Sequence, residues 1–158
     1  RRQATATMAE REDAFAGLID ATHDLRYMAR LSLGNRWEAL SATQRDDYAA
    51  AFRRLSIRNY AARFRNTAGS SFTVGQARPA PGARMTVPAL LTAPADDPVH
   101  LDYLLHETAQ GWRIVNVVAE GVSELALQRS QFRTLFAEDG YPGLMREIDE
   151  RLRSLEMP

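Results

Sequence analysis

The chain has 158 residues, 45% of them apolar and 25% charged, enough for one domain with a substantial core and too few for two comfortable ones. No apolar run approaches the roughly 18 to 20 residues of a membrane span, and the 20 basic and 20 acidic residues balance, which removes the net field that draws a protein to nucleic acid or an anionic surface. Cysteine is absent, so disulfide frameworks, thiolate metal sites and cysteine nucleophiles are excluded together.

Arg1-Arg2 is charged, but Gln3 to Ala9 is too polar for a secretory core, so no signal peptide is expected within the chain. From Ala4 to about Thr22, Met8, Phe15, Leu18 and Ile19 fall at helical spacing, with Glu10, Glu12 and Asp13 near the start, where they favour the helix dipole. Asp24 reads as the N-cap of a second helix carrying Met28, Leu31 and Leu33, which Gly34-Asn35 weakens so that Trp37 turns inward. Ser41-Ala-Thr-Gln44 has the form of a capping box and predicts the longest helix, to about Asn66. Tyr48, Phe52 and Leu55 share one face of it, and Ile57, Tyr60 and Phe64 lie nearly opposite, the pattern of a helix sandwiched on two sides.

Past Ala68-Gly69-Ser70 the pattern switches to strands over Phe72 to Ala77, Met85 to Thr92, Val99 to Glu107 and Trp112 to Ala119, joined by turn-rich separators that favour an antiparallel meander. Pro88 lacks an N–H and belongs on an edge strand or at a bulge. Glu120-Gly121 turns the last strand into a helix from Val122 to Ala137, capped by Ser123, and a final helix runs from Pro142 to Leu155 after a stop at Gly140.

Two blocks carry a resemblance. Trp112-x-Ile114-x-x-Val117-Val118-x-Glu120-Gly121-Val122-Ser123, continuing into QRSQF, resembles the C-terminal signature of the MlaC family, the toluene-tolerance auxiliary transport proteins. Ala29 to Tyr60 is similar to that family's helical pair, and Phe72 to Val74 and Val99 to Leu105 to its strands, so the likeness runs from Asp24 to the C-terminus. Asn116 stands where the family's strand often has an aspartate, which removes the charge and keeps the shape; Pro88 within a strand is a second departure.

The resemblance implies an α+β fold in which a curved four-stranded antiparallel sheet, wrapped by about five helices, encloses an internal apolar cavity. It implies one lipid-binding domain over residues 1–158, with N-terminal helices over 4–66, the sheet over 70–119 and C-terminal helices over 122–155. It also implies a periplasmic shuttle, its targeting segment cleaved, that buries the acyl tails of a phospholipid or, in a related branch, accompanies hopanoid transport. The implied partners are that lipid, an inner-membrane ABC transporter complex and an outer-membrane lipoprotein complex; a monomer with no cofactor, catalytic residue or metal is expected. Leu31, Trp37, Phe52, Ile57, Tyr60, Val87, Leu101, Tyr103, Ile114, Val118, Val122, Leu127 and Phe132 are the candidate wall residues.

Other chemistry finds thinner support. His100, Asp102 and His106 share one side of a strand, but Asp102 and His106 are roughly 13 Å apart along it, so a solvated face is favoured over a metal site. Val99, Leu101, Tyr103 and Leu105 form an apolar row on the other side, which reads equally as core. Ser123 beside Glu120 lacks a nearby histidine, His23 at a helix start is expected on the surface, and no G-x-S-x-G or H-E-x-x-H is present. The alternatives are a cone-shaped hydrolase or isomerase using Asp102 as base, which has the wrong parity to face Tyr103's side, and a ligand-free module docking through arginines such as Arg54, Arg58 and Arg129.

Overall fold

The computed structural model describes residues 6–63 and 69–156. Four helices open the chain: α1 (Met8–Thr22), α2 (Leu25–Leu33), the short α3 (Arg36–Ala39) and α4 (Ala42–Arg63). Their starts follow from capping chemistry. The Asp24 carboxylate accepts from the Tyr27 N–H at 3.2 Å, and Ser41 and Gln44 satisfy each other's backbone N–H groups at 3.1 and 3.0 Å. A second capping box, Thr7 with Glu10, starts α1. Gly34, at φ 59° and ψ −131°, ends α2 where a side-chain-bearing residue would be strained. Phe64, Arg65 and Asn66, expected in the last turn of α4, lie outside the described residues.

α4 packs against α1, α2 and α5, and its expected two-sided burial holds: Tyr48, Ala51, Phe52 and Leu55 are at most 1% exposed, with Ile57 and Ala61 also buried. Burying side chains of this size contributes roughly 1.5–3 kcal/mol each. Arg58 joins three helices, pairing with Glu12 of α1 and reaching the Leu152 carbonyl at 3.0 Å and Glu156 at 2.8 Å. That guanidinium is therefore engaged inside the fold rather than offered to a partner.

The sheet holds the four expected strands and two short additions: β1 (Ser71–Val74), β2 (Arg78–Ala80), β3 (Arg84–Ala93), β4 (Asp96–Thr108), β5 (Gly111–Ala119) and β6 (Val122–Ser123). Every pairing is antiparallel, in the order β1-β3-β4-β5-β6, with β2 also on β3. β1 and β2 form one interrupted edge, since the register moves by one residue between Val74↔Ala89 and Arg78↔Thr86. Pro88 therefore does not sit on an edge strand. It lies in β3, between that edge and β4, and the irregularity is in its neighbour, where the Gly75 N–H donates to the Pro88 carbonyl at 2.8 Å.

A second bulge decides the geometry of the site. Leu104 pairs with Asn116 and Leu105 with Ile114, so Val115 is an extra residue in β5. Residues paired across a ladder project from the same face, which puts Ile114 beside Leu105 and Val117 beside Tyr103 on the concave face of the sheet. Glu120 and Gly121 both have positive φ, 50° and 77°, the two-residue hairpin geometry whose twist matches the strands it joins. β6 thus comes between the turn and the helix, and α5 (Glu124–Glu156) starts two residues later than the expected Val122. Ser123 caps it, accepting from the Ala126 N–H at 3.1 Å. Gly140, at φ 66° and ψ −166°, breaks α5 into two arms, with Pro142 in the first turn of the second.

The main core lies between the helices. Ile19, Trp37, Tyr48, Phe52, Phe132, Leu144 and Ile148 are its centre, and Trp37 is flanked by the guanidinium groups of Arg26 and Arg45 at 5.5 and 5.8 Å.

Candidate functional site

Between the concave face of the sheet and the helices α1 and α4 is a cavity of about 680 Å³, within the range of roughly 300–1,000 Å³ that small-molecule sites occupy. Val87, Leu91, Tyr103, Leu105 and Ile114 form its sheet wall, and Phe15, Leu18, Ile19 and Tyr60 its helix wall. It reaches the surface where Leu18, Phe72 and Val74 are more than half exposed. Exposed apolar side chains gathered round an opening are uncommon on a monomer's surface and mark a place where something apolar passes or docks.

The polar groups on this wall hydrogen-bond in sequence. The Thr22 hydroxyl donates to the Leu18 carbonyl at 2.8 Å, so its oxygen accepts from His23 Nδ1–H at 2.8 Å, and His23 Nε2 in turn accepts from the Tyr60 hydroxyl at 3.1 Å. This order requires a neutral imidazole. Burial supplies one, pulling the His23 pKa down from 6.5 to about 4. Burial also raises the Tyr60 and Tyr103 hydroxyls above their ordinary range. None of the lining side chains among the described residues is charged at neutral pH, and that surface accepts hydrocarbon without desolvating an ion. His23 itself, expected on the surface, is 9% exposed. It is buried because the α1–α2 junction docks on β5, bridging to Ile114, with the Asp24 N–H donating to the Ile114 carbonyl at 3.0 Å.

A smaller cavity of about 320 Å³ adjoins the first, lined by Leu25, Phe52, Val117 and Leu125 among others. The expected wall residues divide between these spaces and the core. Tyr60, Val87, Tyr103 and Ile114 meet in the larger cavity; Phe52, Val122 and Leu127 line the smaller, as Tyr60 also does. Trp37, Ile57 and Phe132 are buried core, and Leu31 packs against it. Leu101 is paired on the concave face but lines neither space. Val118 projects from the opposite face, beside Asp102 and Ser123, because the Val115 bulge shifts the alternation that placed it with Ile114.

Phe15, Leu18, Ile19, His23, Phe72, Val74 and Leu105 were missing from the expected set. For Phe15, Ile19 and Leu105 the signal was present in the helical spacing of α1 and the apolar row of β4, both of which also fit plain core.

The β4 polar row serves another purpose. His106 Nε2 lies 2.8 Å from Asp24 Oδ2, its ring is 4.5 Å from that of Tyr27, and Arg84 donates to the Tyr27 hydroxyl at 3.0 Å. His106 is thus packed rather than solvated, tying β3 and β4 to the start of α2. Among the described residues no group of three His, Cys, Asp or Glu side chains converges on a metal position. Register between β3 and β4 is unbroken from Arg84↔His106 to Leu91↔Val99, so Asp102 faces away from the cavity and does not reach it as a base.

A phospholipid-binding protein from Ralstonia solanacearum, solved in complex with a phospholipid, shares this fold at a TM-score of 0.81 and 21% identity, over 95% of this chain and 87% of that one. Residues 1–150 match the MlaC protein family. The order of elements, the curved antiparallel sheet and a family match over nearly the whole length agree, and the chain belongs to the MlaC family.

Proposed function

We propose that the protein is a periplasmic carrier that moves a phospholipid, or a hopanoid-like lipid, between an outer-membrane lipoprotein complex and an inner-membrane ABC transporter complex. The 158 residues act in this reading as one lipid-binding unit. The observation that carries it is the cavity of about 680 Å³ with no charged side chain on its wall among the described residues and an apolar mouth at Leu18, Phe72 and Val74. Each methylene taken out of water contributes roughly 0.8 kcal/mol, so a cavity of this kind holds acyl tails while a charged headgroup stays in water at the mouth. The Ralstonia neighbour's bound phospholipid supports the same cargo class. Tail burial is non-directional, so release depends on a partner offering the tails a second apolar environment.

An enzymatic reading needs a group that takes or gives a proton near neutral pH, and among the described lining residues His23 is held neutral between two hydroxyls while burial raises the Tyr60 and Tyr103 hydroxyls above their ordinary range. The test is transfer of a fluorescent phospholipid from donor to acceptor vesicles that are kept apart. Transfer should rise in proportion to added protein. A rate independent of protein concentration contradicts the proposal.

A further inference from the structure

The two cavities are neighbours with a thin wall between them, since His23 and Tyr60 line both. That wall is two side chains from different elements, His23 at the end of α1 and Tyr60 of α4. Their rings meet edge to face at 5.5 Å and share one neutral hydrogen bond of 3.1 Å. Tightly filled protein interiors hold few voids larger than a water molecule, so buried His23 and partly buried Tyr60, with open space on both sides, form a partition and not ordinary core packing.

The smaller space is graded. Its buried floor is apolar, with Leu25, Phe52, Val117 and Leu125 at most 8% exposed, while Arg63 and Glu124, paired with each other, and Gln128 stand at its lip. An apolar floor under a polar rim accepts the end of a hydrocarbon chain and is a poor seat for a headgroup.

We infer that the His23–Tyr60 pair is a stop that limits the length of acyl chain the protein holds, and that the smaller cavity is an overflow slot for chain ends, shut while the pair is joined. This rests on the lipid-carrying function proposed above. The backbone on both sides is fixed, by the His23 bridge to β5 and by the buried face of α4, so side-chain rotation of the pair is the motion that joins the two spaces.

The experiment loads the full-length protein from vesicles containing phosphatidylglycerols with dodecanoyl, palmitoyl and eicosanoyl chains in equal amounts, and measures bound lipid by native mass spectrometry. Tyr60→Ala opens the partition, and the ratio of eicosanoyl to palmitoyl lipid should rise roughly tenfold over wild type, as several more methylenes find burial. Adding Val117→Phe, which refills the slot from its floor, should restore the wild-type ratio. Tyr60→Leu, closer in volume to the native ring, supplies the same comparison should the alanine variant not fold. An unchanged ratio in a folded, loaded variant overturns the stop and leaves lipid carriage standing. Wild-type protein that takes up none of the three lipids removes the carrier function and the stop together.

Discussion

Ile114 and Val117 stand three positions apart in β5, yet both project from the concave face of the sheet, because Val115 between them is an extra residue that β4 does not match. The bulge puts Ile114 on the cavity wall and turns Val118 to the far side. Ile114→Trp should therefore lower bound lipid about tenfold, since an indole there displaces at least two methylene positions of tail at roughly 0.8 kcal/mol each. Val118→Trp should leave occupancy within about twofold. Phosphorus per mole of purified protein is the measurement, with circular dichroism to confirm folding.

Phe132 was expected on the wall and is core instead, 0% exposed, with its ring edge-on to Tyr48 at 6.5 Å and under the Arg151 guanidinium at 5.3 Å. Phe132→Ala should cost about 3–5 kcal/mol in urea unfolding. Val87→Ala, beside an existing cavity, should cost less than about 1.5 kcal/mol, because its loss enlarges a space that is already open. Equal costs would erase the distinction between core and wall.

Gly75 and Pro88 touch where the edge strand is interrupted. A Cβ on Gly75 would lie 2.9 Å from Pro88 Cγ, so Gly75→Ala should destabilise by about 1 kcal/mol. In a Pro88→Ala background the same change should become neutral or stabilising, since the clash is gone and alanine restricts the unfolded chain more than glycine does. A double-mutant cycle in urea reads this coupling directly.

His23 makes stability depend on pH. Its folded pKa of about 4 lies below the ordinary 6.5, so between these values the unfolded chain binds a proton that the folded one excludes. Stability from this group is complete above pH 6.5 and falls as the pH drops toward 4, by up to about 3 kcal/mol. His23→Gln should flatten that part of the profile of urea midpoints against pH. A slope unchanged by the substitution would assign it to other groups.

Local chemistry was legible where one residue type has one structural use. Asp24, Ser41 with Gln44, Gly34, Ser123 and Gly140 cap or end helices as their identities predict. Thr7 with Glu10 carries the same capping signal, and α1 accordingly starts at Met8 rather than at the expected Ala4. The bulge at Val115 was not legible, because Ile114, Val115, Val117 and Val118 suit either face of a strand and none of them marks a change of phase. His23 was misplaced for a related reason. Its burial comes from the α1–α2 junction docking on β5, a contact between segments ninety residues apart that local pattern does not encode. The site was half legible: the strand residues Val87 and Tyr103 follow from alternation, whereas Leu18, Phe72 and Val74 at the mouth look like ordinary surface until the fold gathers them.

Native mass spectrometry of the wild-type protein after incubation with phospholipid vesicles addresses the cavity's purpose most directly. The account predicts a population heavier than the bare chain by the mass of one whole phospholipid, reduced about tenfold by Ile114→Trp. Protein that emerges from lipid-saturating conditions at its bare mass would contradict it.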